Sequence, residues 1–119
     1  MTEPGSNSGI YFHTVYQESG WPSKGHEVQV NNSHTDWRRT GSLYAIQDVK
    51  DVYVRDNVWF TEHITVRGKH IVIQINDRTV VDYTDTEGKI QPPDGTFALQ
   101  GHDPGSTVHF KNIMVKALD

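Results

Sequence analysis

The sequence predicts an all-β fold, an antiparallel β-sandwich of the jelly-roll kind, in one domain over residues 1–119. Three observations point there. Apolar and polar side chains alternate with period two in several short stretches. Turn-forming clusters separate these stretches at short intervals, the spacing of sandwich strands. No segment repeats apolar residues at helical spacing; the nearest, Thr40 to Val54, is interrupted by Gly41 and rich in β-formers.

Taken in order, Ile10 to Val15 follows Gly9 and reads as a strand. Gly25 to Asn31 alternates cleanly, with Val28 and Val30 on one face and Glu27, Gln29 and Asn31 on the other. Ser42 to Ile46 is a third candidate. Trp59 to Val66 places Phe60, Ile64 and Val66 together; a turn at Arg67-Gly68-Lys69 leads to His70–Asn76, where Ile71, Ile73 and Ile75 share a face. Asn76-Asp77 makes a short turn and Thr79 to Tyr83 returns, completing an antiparallel meander. Thr96 to Gln100 and Thr107 to Lys116 supply two further strands, and the clusters Gln91–Gly95 and His102–Ser106 supply the turns around them.

Bulk properties remove several function classes. The formal charge is -4 and no basic stripe occurs, so nucleic acid is not an expected partner. No apolar run approaches the roughly 18 residues that cross a bilayer, so membrane insertion is not expected. There is no Cys, which rules out disulfides and thiolate-metal sites. Met1 runs directly into polar residues without a signal peptide.

The candidate site lies on the strand face of Glu27, Gln29 and Asn31. Their side chains project in steps of about 6.6 Å, a row able to line a cleft with one carboxylate as acid or base and amides for hydroxyls. An ordinary solvent-facing strand is the competing reading. His26 adjoins Glu27 and therefore points to the opposite face. Of seven His, His13 and His102 are the candidates to join Glu27, one on a strand and one opening a Gly-containing loop. No HxH or HxxxH spacing marks a metal site, and a lone His is more often structural. Trp37 with Arg38 and Arg39 is either a sugar-stacking platform or a plug over the sheet edge.

Asn7-Ser8-Gly9-Ile10-Tyr11-Phe12, Gly25-His26-Glu27-Val28-Gln29-Val30, Thr40-Gly41-Ser42-Leu43-Tyr44, and Gly95 to Gly101 followed by Val108-His109-Phe110-Lys111-Asn112-Ile113 together resemble the 3-keto-disaccharide hydrolase domain family. The likeness covers nearly the whole chain. It implies a concanavalin-like sandwich and bacterial, exported or periplasmic sugar metabolism. It also implies cleavage of 3-keto-glycosides by base-assisted elimination and hydration, with Glu27 as base and His13 and His102 as acid or electrophilic partners; the cofactor is left open, a divalent metal on the ketone being one option. Tyr11, Gln29, Asn31, Trp37, Arg39, Tyr44 and Gln100 would bind the substrate. The alternative is a non-catalytic carbohydrate-binding module with Trp37, Tyr11 and Tyr44 as its platform. Two departures stand out: the family has Arg where this chain has His13, and its domain starts further upstream with additional strands. A shortened sandwich would leave the apolar face of the Phe60–Tyr83 meander open, and a homodimer is the expected cover.

Overall fold

Six strands and no helix form among residues 1–90 and 94–118, which the computed structural model describes. They are β1 (Asn7–Thr14), β2 (His26–Asn31), β3 (Glu62–Arg67), β4 (His70–Ile75), β5 (Arg78–Thr84) and β6 (Thr96–Leu99). They make two antiparallel three-stranded sheets, ordered β2-β1-β6 and β3-β4-β5.

The meander is built by turn chemistry. Asn76 and Asp77 both take positive φ, 47° and 66°, as a two-residue hairpin requires, and Gly68 at 58° supplies the preceding one. Register then fixes the faces: Ile71, Ile73, Ile75 and Val81 are essentially inaccessible. They share one core with Phe12 and Val28 of the other sheet, and with Leu43, Val49 and Val54 from the segment joining the sheets. The meander's apolar face is therefore covered within the chain rather than left open, contrary to the sequence expectation.

Two expected strands do not form. Ser42 to Ile46 runs beside β2, with the Gln29 N–H donating to the Ser42 carbonyl and the Tyr44 N–H to the Glu27 carbonyl. Ala45, at φ 60°, then turns the chain back, and only isolated bridges remain at Leu43. Thr107 to Lys116 pairs with the N-terminal residues through a Thr2–Val108 bridge and the His109 N–H to the Met1 carbonyl. Asn112 at φ 53° breaks the extended run, and Ile113, Met114 and Val115 stay exposed. The first three residues of the turn expected over Gln91–Gly95 lie outside the described residues.

Candidate active site

The site grows from the pairing of β1 with β2. Asn7 lies opposite Asn31, Gly9 opposite Gln29 and Tyr11 opposite Glu27, so these residues share the sheet face turned away from the core. β6 brings Ala98 beside Tyr11, and the Gln100 N–H donates to the Gly9 carbonyl just beyond the strand. Gly9 is the gap in this row: a Cβ there would stand 2.7 Å from Glu27 Cγ, so only glycine leaves room for the carboxylate arm.

An open cavity of about 390 Å³ sits on this face, lined by Asn7, Tyr11, Trp21, Pro22, Glu27, Gln29, Asp36, Tyr44, Gln100 and His102 among others. That volume is within the range of small-ligand sites. Glu27 is 9% exposed, and burial pushes its carboxyl above the ordinary range. A hydrogen bond from the Tyr11 hydroxyl to Glu27 Oε2 (3.0 Å) and the nearby His102 charge oppose that rise without cancelling it. Tyr11 in turn accepts from Gln100 Nε2 at 2.9 Å. Burial, and then the Glu27 charge, raise the Tyr11 phenol, so it stays a proton donor.

The amides around this carboxyl are under-used. Both side-chain polar atoms of Asn7, Gln29 Oε1 and Gln100 Oε1 are buried with no hydrogen-bond partner among the described residues. Buried polar groups are seldom left so, because each costs about 1–3 kcal/mol. Three such residues on one cavity wall point to a ligand rich in hydroxyl or carbonyl groups.

His102 enters from the loop after β6. Its Nδ1 lies 2.7 Å from Asp103 Oδ2, and its ring lies 5.5 Å from that of Trp21. Asp103 also accepts from the Ser106 hydroxyl and the Gly105 N–H; the Ser106 and His102 bonds foremost hold its carboxyl down to about 2. Fixing Nδ1 on a carboxylate leaves Nε2 as the ring nitrogen free for chemistry, the orienting logic of catalytic His–Asp pairs. His34 adds its Nε2 at 3.5 Å from the same carboxylate oxygen. His34, His102 and Asp103 offer ligand atoms within 4.8 Å of one another, the spacing of a candidate metal centre. However, His34 Nδ1 accepts the Asp36 N–H at 3.1 Å, which puts the ring proton on Nε2, facing Asp103. A neutral imidazole bound to metal through Nε2 would need that proton on Nδ1. As placed, the trio fits a hydrogen-bonded relay better than a metal.

The residues expected from sequence divide clearly. Glu27, His102, Tyr11, Gln29, Tyr44 and Gln100 line the one cavity. His13, expected to converge with Glu27 and His102, does not line it. A register shift between Tyr11 and Thr14, with His13 at φ 55°, breaks the alternation; the ring instead packs 5.0 Å from Phe12 and 6.4 Å from His26. Asn31 is spent on its own loop, donating to the Asp36 and Arg38 carbonyls and accepting from the His34 N–H and Arg39. Arg39 divides its Nη1 between Asn31 and the His34 carbonyl. Trp37 lies outside the cavity, with the Arg38 guanidinium 4.9 Å over its ring and 4.5 Å over that of Tyr44. The aromatic wall is Trp21, from the other Trp-bearing loop. Asn7, Trp21, Pro22, Gly25, Asp36 and also His26, which alternation had assigned to the opposite face, are the lining residues that sequence reasoning did not select. Asn7 was within reach, since the register that aligns Glu27 with Tyr11 also aligns Asn7 with Asn31.

No curated protein and no solved structure matches the chain. Residues 1–116 match the 3-keto-alpha-glucoside-1,2-lyase-like domain. The chain therefore belongs to the family of the 3-keto-alpha-glucoside-1,2-lyase-like, or 3-keto-disaccharide hydrolase, domains.

Proposed function

We propose that this protein cleaves 3-keto-glycosides by elimination and hydration, on a sandwich of the concanavalin type. The observation that carries the reading is the buried, proton-affine Glu27 in a cavity walled by amides with unpaired oxygens. A ketone at C3 acidifies the hydrogen on C2. Glu27 takes that proton, the electron pair moves to form the C1–C2 double bond, and the C1–O bond breaks. Elevated basicity suits this step, because a general base works best with a pKa close to the working pH. His102, held through Nδ1 by Asp103, supplies a proton to the departing oxygen; water then adds at C1, giving its proton to His102, while Glu27 returns the proton to C2 and the saturated ring is restored. Asn7 Nδ2 is the free donor for the ketone oxygen, and the side-chain oxygens of Asn7, Gln29 and Gln100 accept from the ring hydroxyls. This scheme needs one carboxylate base, unlike the paired carboxylates of ordinary glycosidases.

A non-catalytic binding module is less well supported. Its platform would require Trp37 and Tyr11 to act on one ligand, whereas Trp37 lies outside the cavity with Arg38 over its ring and Tyr11 is 8% exposed. Incubation with 3-keto-glucosides separates the two: release of the leaving group supports the enzyme, and saturable binding without release supports the module.

A further inference from the structure

Beside the main cavity lies a second of about 180 Å³. The two share Tyr11, Trp21, Pro22 and Gln100, so they form one groove with two lobes. The smaller lobe adds Gly20, Ala98, Leu99 and Gly101, none with a polar side chain. Of the three side chains there with a hydrogen-bonding group, Tyr11, Trp21 and Gln100, Tyr11 is already bonded to Glu27 and Gln100. A space of about 150 Å³ suffices for a benzene-sized ring, so this lobe takes one six-membered ring.

We infer that the smaller lobe is the leaving-group subsite and that it is built for an aromatic aglycone, with Trp21 as its stacking wall. This rests on the keto-glycoside reading of the main cavity. The main lobe, with the unpaired amides and Glu27, suits the polyhydroxylated keto-sugar. The bond to be broken then points across the shared Tyr11–Trp21 boundary, and whatever hangs from C1 enters the apolar lobe. A second sugar there would bring several hydroxyls to a wall offering few partners, whereas an aryl ring loses nothing. Trp21 is 57% exposed, so its ring face is open to contact and its removal leaves the core intact. It also flanks His102, the group placed to protonate the departing oxygen.

The test uses two readouts. Calorimetric titration with phenyl and methyl glucosides, which lack the 3-keto group, reads the subsite without turnover. Phenyl glucoside is expected to bind about tenfold more tightly than methyl glucoside, the worth of one aromatic contact. Trp21→Ala should abolish that preference and Trp21→Phe should retain most of it. The ratio of kcat/KM for phenyl over methyl 3-keto-glucoside should follow the same order. Equal affinities for the two glucosides, or a preference that survives Trp21→Ala, would overturn the inference. A phenyl preference intact in a protein that releases nothing from either keto-glycoside would leave the subsite standing and sink the enzymatic reading.

Discussion

Glu27 and Tyr11 form the pair on which the proposed chemistry turns, and their coupling gives a signed expectation. A base must be ionised to work, so kcat/KM should fall as pH drops through the raised Glu27 pKa. The Tyr11 hydrogen bond stabilises the ionised carboxylate and holds that pKa down. Tyr11→Phe removes it, so the acid limb of the pH–rate profile should move to higher pH. A limb that stays put or moves to lower pH would show that another group titrates there. Gly9 matters for shape. Because an added Cβ would meet Glu27 Cγ at 2.7 Å, Gly9→Ala should displace the carboxylate and lower kcat by roughly 100-fold, the order of effect expected for about 1 Å of misplacement. Circular dichroism should confirm an unchanged fold. The placement of Glu27 on the cavity face was legible in the sequence because strict alternation put one carboxylate in a row of amides. His13 was misread for a related reason: alternation counts residues, and a bulge adds one without announcing itself in composition.

At the scale of elements, the strands legible from sequence were those whose alternation or turns were unambiguous. β4 carries Ile at every second position and is closed by Asn76-Asp77, a pair that readily takes the left-handed conformation. The tail after Thr107 is equally rich in β-formers, yet its pairing stops at the N-terminal residues, a long-range contact that no local pattern encodes. β3 holds a further consequence. Glu62 pairs in register with Ile75, so its side chain shares the core-facing side, and both carboxylate oxygens are buried without a partner among the described residues. Burial, followed by repulsion from Glu27, drives its pKa well above the ordinary carboxylate range. A carboxyl raised in the fold favours the folded state below its unfolded pKa, and that advantage is lost as pH climbs through the folded value. Stability should therefore decline from about pH 4.5 upward until the folded pKa is passed. Glu62→Gln should flatten this slope in urea titrations run at several pH values. An unchanged slope in the variant would assign it elsewhere.

For the molecule as a whole, the two sheets divide the work. The β3-β4-β5 meander supplies four of the nine buried core residues, and the β2-β1-β6 sheet carries the candidate site on its far face. The cover expected over the meander is thus internal. Exposed apolar side chains gather elsewhere, with Phe97 and Leu99 on β6 and Ile113, Met114 and Val115 in the tail. Among the described residues β6 pairs with β1 alone, so its outer edge is unpaired. We propose that two copies associate along this edge. Sedimentation equilibrium at micromolar concentration should then return a dimer mass, and Leu99→Lys should shift it to monomer; a monomer in the unsubstituted protein would refute the association.

The central claim is that Glu27, among amides with unpaired oxygens, removes a proton next to a sugar ketone. Its most direct test is leaving-group release from a 3-keto-glucoside by the native protein and by Glu27→Gln. The account predicts release by the native protein and a fall of several orders of magnitude in the variant, which keeps the shape but not the proton acceptor. Release at a near-native rate by Glu27→Gln would contradict it.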